Sequence, residues 1–119
     1  MKRSQEHFIQ DIADAIERIE EYTRNMAENE FKADKKTQEA VVYCFHIISE
    51  AASHISADLK KKHSEIEWAK IKGFRNKLIH EYFGVKIETV WGTVQKDIPD
   101  LKEKIAKIAG ETKQKKLLK

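Results

Sequence analysis

The sequence predicts an all-α protein, an antiparallel bundle of about five helices, on three observations. Apolar residues recur three or four apart through five successive segments, the period of a helix face. The 119 residues hold one proline and four glycines, too few turn residues for a β-sandwich or barrel. The length is room for one domain rather than two. Hydrophobic residues at 40% and charged residues at 36% give a globular balance with a charge-rich surface.

The first two helices are long. Phe8, Ile12, Ile16, Ile19, Tyr22 and Met26 mark one face of a first helix, with Ser4 placed to cap it. Asn29 to Lys36 breaks the pattern and is charged, which predicts a loop. Asp34 or Thr37 can cap a second helix. Its apolar stripe is wide: Val41, Cys44, Phe45, Ile48, Ala51, Ala52, Ile55 and Leu59. Lys60-Lys61-Lys62-His63 places cations in its last turn, where the helix dipole favours them. These first two helices are each roughly 36 Å long at about 24 residues. A short connection makes them pack antiparallel.

Ser64-Glu65-Ile66-Glu67 fits a capping box that starts a third helix. Trp68, Ile71, Phe74, Leu78 and Ile79 give its period, and Gly84 is its stop. Gly73 inside it costs about 1 kcal/mol against Ala and allows another backbone to come close. A fourth helix runs from Lys86 to Lys96, with Ile87, Val90, Trp91 and Val94 inward. Asp97 caps a fifth, with Pro99 in its first turn, where a missing N–H is harmless. Ile98, Leu101, Ile105 and Ile108 form its apolar face, and Gly110 closes it. The domain therefore spans residues 1–110, and residues 111–119 form a frayed, Lys-rich tail.

Charge and motifs narrow the function. Twenty-three Lys and Arg stand against twenty Asp and Glu, for a net +3. The tail, Glu111 to Lys119, carries that whole excess with four lysines and one glutamate. Bulk positive charge is thus not the means by which this chain would bind nucleic acid, although a local basic site stays open. No G-x-G-x-x-G or G-x-x-x-x-G-K-[ST] occurs, so the dinucleotide and P-loop folds are excluded. The single cysteine, Cys44, cannot form an internal disulfide, suits a reducing compartment, and reads as a small buried hydrophobe in Val41–Phe45. The N-terminus has no apolar signal region, and no apolar run approaches the ~18 residues of a membrane span. The expectation is a cytoplasmic protein with no membrane partner.

The chemistry concentrates in Phe74-Arg75-Asn76-Lys77-Leu78-Ile79-His80-Glu81-Tyr82-Phe83-Gly84. Asn76 and His80 are four apart and share a helix face. Arg75 and His80 are five apart, about 140° around an ideal helix, so Arg75 must curl or the helix loosen for them to meet. An arginine and a histidine are what RNA cleavage requires, the one to pair with phosphate and the other to move a proton near neutral pH. On spacing alone the favoured reading is a surface arginine and a histidine capping a helix C-terminus.

Arg75-Asn76-Lys77-Leu78-Ile79-His80-Glu81-Tyr82 resembles the R-x4-H-x-Y motif of HepT-like proteins, a branch of the HEPN superfamily. The resemblance is distributed over most of residues 5–108. Ser64–Trp68 is similar to the family's approach to the motif helix. Phe83-Gly84-Val85, Val90-Trp91 and Asp97-Ile98-Pro99-Asp100-Leu101 resemble the family's segments beyond the motif. Ile47-Ile48-Ser49-Glu50-Ala51-Ala52 resembles the family's I-I-G-E-A-A segment. The chain departs from the pattern at Ser49, where Gly is usual, and at Tyr43-Cys44-Phe45, which replaces a common R-N-L.

The resemblance implies a HEPN-like bundle forming a homodimer, with motifs from both subunits lining a cleft. It implies a ribonuclease toxin whose chemistry uses no metal and no cofactor, paired with a minimal nucleotidyltransferase antitoxin. Arg75, His80 and Asn76 match the catalytic positions, RNA is the substrate, and Tyr82 matches the tyrosine that the antitoxin modifies with AMP. Glu50 is the candidate supporting partner of the motif helix. The rival reading is a non-catalytic HEPN protein that binds a nucleotide or presents a substrate to its nucleotidyltransferase, since a shared bundle does not prove shared activity.

Other constellations read more plainly. His46, Glu50 and His54 fall at i, i+4 and i+8 on one face of the second helix. They span about 12 Å of axis and do not form H-E-x-x-H, so a polar stripe is favoured over a metal site. Trp68 and Trp91 read as core, and Lys60–Lys62 as a solvated cluster.

Overall fold

The computed structural model describes residues 4–73 and 86–117, with side chains through residue 110. All regular structure among the described residues is helical, as the apolar periods predict. Helix α1 spans Gln5–Thr23, α2 Glu28–Ala33, α3 Lys35–Ser53 and α4 Ala57–Lys62. Helical backbone over residues 68–73 is labelled α5. Helix α6 is Ile87–Gly92, and a π-helical turn at Thr93–Asp97 leads into α7, Ile98–Leu117.

The core is where the apolar stripes meet. Ile9, Ile12, Ile16 and Ile19 of α1 are buried against Val41, Cys44, Phe45 and Ile48 of α3 and Ile98, Ile105 and Ile108 of α7. Each such side chain, fully removed from water, contributes about 1.5–3 kcal/mol. Cys44 is buried as expected, and that burial pushes its thiol pKa up, so it behaves as a hydrophobe. Tyr22 departs from the first helix's expected face and stands exposed.

Gln5 sets the antiparallel pairing of α1 and α3. Its Nε2 donates to His54 O at 3.1 Å, and its Oε1 accepts from Ser56 N at 2.7 Å, which ties the start of α1 to the end of α3. Lys102 of α7 reaches Glu20 near the end of α1 at 3.0 Å, so α7 also runs against α1.

Five local features correct the sequence reading. First, the stretch 29–36 is not all loop. Asn25 adopts a left-handed φ of 60° that ends α1, and the chain re-enters a helix at Glu28. Helix α2 is fixed by one residue, Phe31, which is fully buried with its ring 5.1 Å from Trp91. Gln38 then covers the end of α2, its Nε2 donating to Phe31 O at 2.8 Å and Lys32 O at 2.9 Å. Asp34 caps α3, accepting from Thr37 N at 3.0 Å and Thr37 Oγ1 at 2.7 Å.

Second, the long second helix is two helices. Helix α3 stops at Ser53, the chain turns through His54–Ser56, and Ser56 Oγ caps α4 by accepting from Leu59 N at 3.2 Å. Third, Ser64 starts no helix. Residues 64–66 are turn and bend, and helical backbone begins at 68, where Lys70 N and Ile71 N both donate to Glu67 O. Fourth, Asp97 does not cap a separate helix. The backbone stays helical from α6 into α7, and Ile98 N donates to Thr93 O, an i to i−5 bond. Pro99 supplies the reason. Its ring would press on the Gln95 carbonyl in a regular α-helix, and the wider turn relieves that clash. Fifth, Gly110 is not a stop, since α7 continues through it to Leu117.

Candidate functional site

Arg75, Asn76, His80 and Tyr82 lie within residues 74–85, outside the described residues, as does Gly84. The structure describes the frame around that stretch: α5 leads into it and α6 leads out of it.

Three contacts position α5. Trp68 Nε1 donates to His63 O at 3.1 Å, which locks the indole onto the turn before the helix. Ser49 Oγ donates to Phe45 O at 3.0 Å on its own helix and reaches Ile71 O at 3.3 Å on α5. Ser49 is buried, and a small residue is what lets α5 come within one hydrogen bond of α3. Lys70 Nζ meets Asp97 at 3.2 Å, joining α5 to the π turn, and that hydrogen bond raises the Lys70 pKa. Both partners are largely exposed, so the pair orients more than it stabilises. The close backbone approach expected at Gly73 occurs instead at Ile71. No described atom lies within 4 Å of a Cβ built on Gly73.

Helices α3, α5 and α7 with the π turn enclose a cavity of about 290 Å³. Phe45, Ile48, Ile66, Ile71, Ile98 and Leu101 make its apolar walls. The Lys70–Asp97 pair and a Lys104–Asp100 pair at 2.9 Å stand at its edge.

The polar stripe on α3 faces elsewhere. His46, Glu50 and His54 line a groove of about 470 Å³ between α1 and α3, with Phe8, Asp11 and Tyr43. His54 stacks on Phe8 at 4.9 Å, and its Nε2 lies 3.4 Å from Glu50 Oε1. The His46 ring tilts against Tyr43 at 6.4 Å, and its buried Nδ1 has no hydrogen-bond partner among the described residues. An orphaned buried nitrogen costs about 1–3 kcal/mol and marks a place for a polar contact. Among the described residues no group of three His, Cys, Asp or Glu is arranged to hold a metal ion.

A third groove, of about 230 Å³, runs between α3, α4 and α5. It is lined by Ser49, Ser53, Lys60, Trp68 and Lys72, with Ala52 and Ala69. The apolar period assigns Trp68 to the core and gives Lys72 no role. The spacing of Trp68 and Lys72, four apart on one helix, held the available signal. Trp91, by contrast, is buried as expected. No described helix is long and apolar enough to cross a membrane.

Comparison with known proteins places this frame in a family. A family model described as "Ribonuclease HepT-like" matches residues 12–108. A protein of Thermococcus cleftensis named "Probable ribonuclease HepT" is 49% identical over 108 residues, covering 91% of this chain and 98% of its own. A protein of Methanocaldococcus jannaschii, provisionally named an RNase, is 39% identical, covering 90% of this chain and 88% of its own. One of Caldanaerobacter subterraneus with a similar provisional name is 35% identical, covering 91% and 93%. No solved structure matches the chain.

Proposed function

This chain belongs to the HepT-like ribonuclease family, and on that premise we propose that it is an endoribonuclease whose motif, Arg75 to Tyr82, cleaves RNA without a metal ion. The observation that carries the reading is the intact Arg75/His80/Tyr82 pattern lying inside the matched span, 12–108.

The chemistry rests on the residue types. An imidazole with a pKa near neutrality takes the proton of an RNA 2′-OH, and His80 fills that role. The 2′ oxygen then forms a bond to the adjacent phosphorus as the bond from phosphorus to the 5′ oxygen breaks. A second imidazole, His80 of the partner subunit, gives a proton to the departing 5′ oxygen. The products are a 2′,3′-cyclic phosphate and a 5′-hydroxyl, and no water is consumed. Arg75 pairs with the phosphorane oxygens, where charge grows in the transition state. Asn76 orients the phosphate or the imidazole. Glu50 faces the α1–α3 groove, the face that a second copy would cover, and from there it supports the motif helix of the partner subunit.

The mechanism calls for a homodimer. Tyr43, 62% exposed beside the α1–α3 groove, supports one by giving that face an aromatic patch for a second copy to cover. A monomeric mass at micromolar concentration would count against it. In the same reading the chain is a toxin, and a minimal nucleotidyltransferase is its antitoxin. That partner transfers AMP from ATP to the Tyr82 phenol oxygen and releases pyrophosphate. The added phosphate pairs with Arg75, and the adenosine fills space that RNA needs.

The test is cleavage of single-stranded RNA in EDTA by the wild type and by His80→Ala. Cleavage that His80→Ala abolishes, with an unchanged helical spectrum, is expected. Strict dependence on added Mg²⁺ or Mn²⁺ would sink the mechanism.

A further inference from the structure

The groove between α3, α4 and α5 has the chemistry of a phosphodiester site. Its described lining holds two ammonium groups, Lys60 and Lys72, two hydroxyls, Ser49 and Ser53, one indole and two alanines, and no carboxylate. That composition differs from the other charged edges of the molecule. Lys32, Lys70, Lys102 and Lys104 each meet a carboxylate within 3.5 Å. Among the described residues neither Lys60 nor Lys72 has one within 4.0 Å. Lys61 and Lys62, next on α4, add to the positive field at the groove mouth.

Two details distinguish this groove from a chance pair of surface lysines. The Lys60 ammonium sits 5.8 Å from the centre of the Trp68 ring, within cation–π range. The indole is itself pinned, through Nε1 to His63 O at 3.1 Å. Lys60 is therefore half-buried and held in place before any ligand arrives, so less side-chain entropy is lost on binding. The second detail is position. Lys72 precedes Arg75 by three residues, so their Cα atoms lie within about 11 Å whatever path the chain takes between them. An anion held at Lys72 is then within a few nucleotides of a phosphate held at Arg75.

We infer that the α3–α4–α5 groove binds the backbone of the single-stranded RNA that flanks the cleaved bond, with Lys60 and Lys72 each neutralising a phosphate. This rests on the ribonuclease reading and assigns the residues that hold the strand rather than cut it. It also reconciles RNA binding with a chain whose net charge is only +3. The site is local, and its two lysines are left without carboxylate partners.

The experiment compares the full chain with Lys60→Gln/Lys72→Gln, both residues lying outside the cleavage machinery. Affinity for a fluorescent RNA of about a dozen nucleotides is measured against salt, alongside cleavage of that strand and of a dinucleotide. Losing two phosphate contacts to a single strand flattens the log–log salt slope by about 1.4. Between about 50 and 200 mM salt the wild type then loses about sevenfold more affinity than the variant. KM for the longer strand rises, kcat holds, and dinucleotide cleavage is unchanged. RNA also quenches the fluorescence of Trp68, the less buried of the two tryptophans, in the wild type and less in the variant. An equal salt slope and equal KM, with the wild type cutting RNA normally, overturns the groove and leaves the ribonuclease reading standing. Equal losses on the dinucleotide and the longer strand also overturn it, because the lysines would then act at the cut itself. A wild type that neither binds nor cuts RNA overturns both.

Discussion

Phe31→Ala tests whether one side chain holds α2 in place. Phe31 has no exposed surface, and its ring lies 5.1 Å from Trp91 of α6 at an interplanar angle of 36°. Burial of a phenyl group is worth about 1.5–3 kcal/mol. The pairing of two aromatic rings adds about 0.5–1.5 kcal/mol beyond area. The sum, about 2–4.5 kcal/mol, rises further for the cavity left behind. This agrees with the ~3–5 kcal/mol usual for Phe→Ala in a core. A domain of this size is stable by only about 5–15 kcal/mol, so the change is a large share of the total. At about 3–5 °C per kcal/mol, the melting temperature falls by about 10–20 °C. The assay is thermal unfolding followed by circular dichroism, with protein concentration matched between variants because self-association makes a melting temperature depend on it. A loss of only two or three degrees would refute the reasoning. It would mean that α2 is a surface turn that Phe31 decorates, as a loop between two long helices would allow.

Named contacts set four further outcomes. Gln38→Ala leaves the Phe31 and Lys32 carbonyls without their donor and costs about 1–3 kcal/mol, read as a lower urea midpoint. Asp34 is held below its ordinary pKa of 3.8, first by the Thr37 hydroxyl and then by the Thr37 N–H. Its contribution is therefore complete above that value and is lost as pH falls through the lower folded value. The melting gap between wild type and Asp34→Ala should close on acidification, and a gap that widens would contradict the cap. Arg75→Ala should reduce RNA cleavage severely at unchanged helicity if, as proposed, its guanidinium pairs with the phosphate. With a cognate nucleotidyltransferase and ATP, the wild type should gain about 329 Da per AMP unit, whose phosphate links to a phenol. Tyr82→Phe should gain nothing, stay active and escape inhibition, and the same adduct on that variant would place the modification elsewhere.

Much of the scaffold was legible in sequence because its helices carry long apolar stripes. Ile12, Ile16 and Ile19, Val41, Cys44, Phe45 and Ile48, and Ile98, Ile105 and Ile108 could be assigned to a core from spacing alone, and all are buried. The errors occur where that signal is silent or misleading. Helix α2 is six residues with one large apolar side chain, too short for a period to show. The break at His54–Ser56 was hidden because Ile55 and Leu59 continue the stripe of α3, while the clamp that ends it comes from Gln5, some fifty residues away. Ser64 matches a capping pattern that the turn at 63–66 pre-empts, since Ile66 N already donates to His63 O. Asp97-Ile98-Pro99 reads as a cap followed by an N-terminal proline, and a widened helical turn accommodates the same three residues. The candidate site divides similarly. The family resemblance, and not spacing, singles out Arg75 and His80. Lys60, Trp68 and Lys72 become a site only when α4 and α5 meet.

The π turn also fixes how this chain can change length. An α-helix advances about 100° per residue, so one residue gained or lost rotates everything beyond it by more than a quarter turn. At Thr93–Asp97 the extra residue is absorbed as a bulge, and the faces on both sides stay in phase: Val90 and Trp91 before it, Ile105 and Ile108 after it, all buried. Deleting Gln95 would force a regular turn and press the Pro99 ring on the carbonyl four residues before it. The same deletion would swing Ile105 and Ile108 off α1, or Val90 and Trp91 off Phe31. The regular helix would also have lost its angular setting, so the irregular turn acts as the coupling that keeps two halves of one shaft aligned.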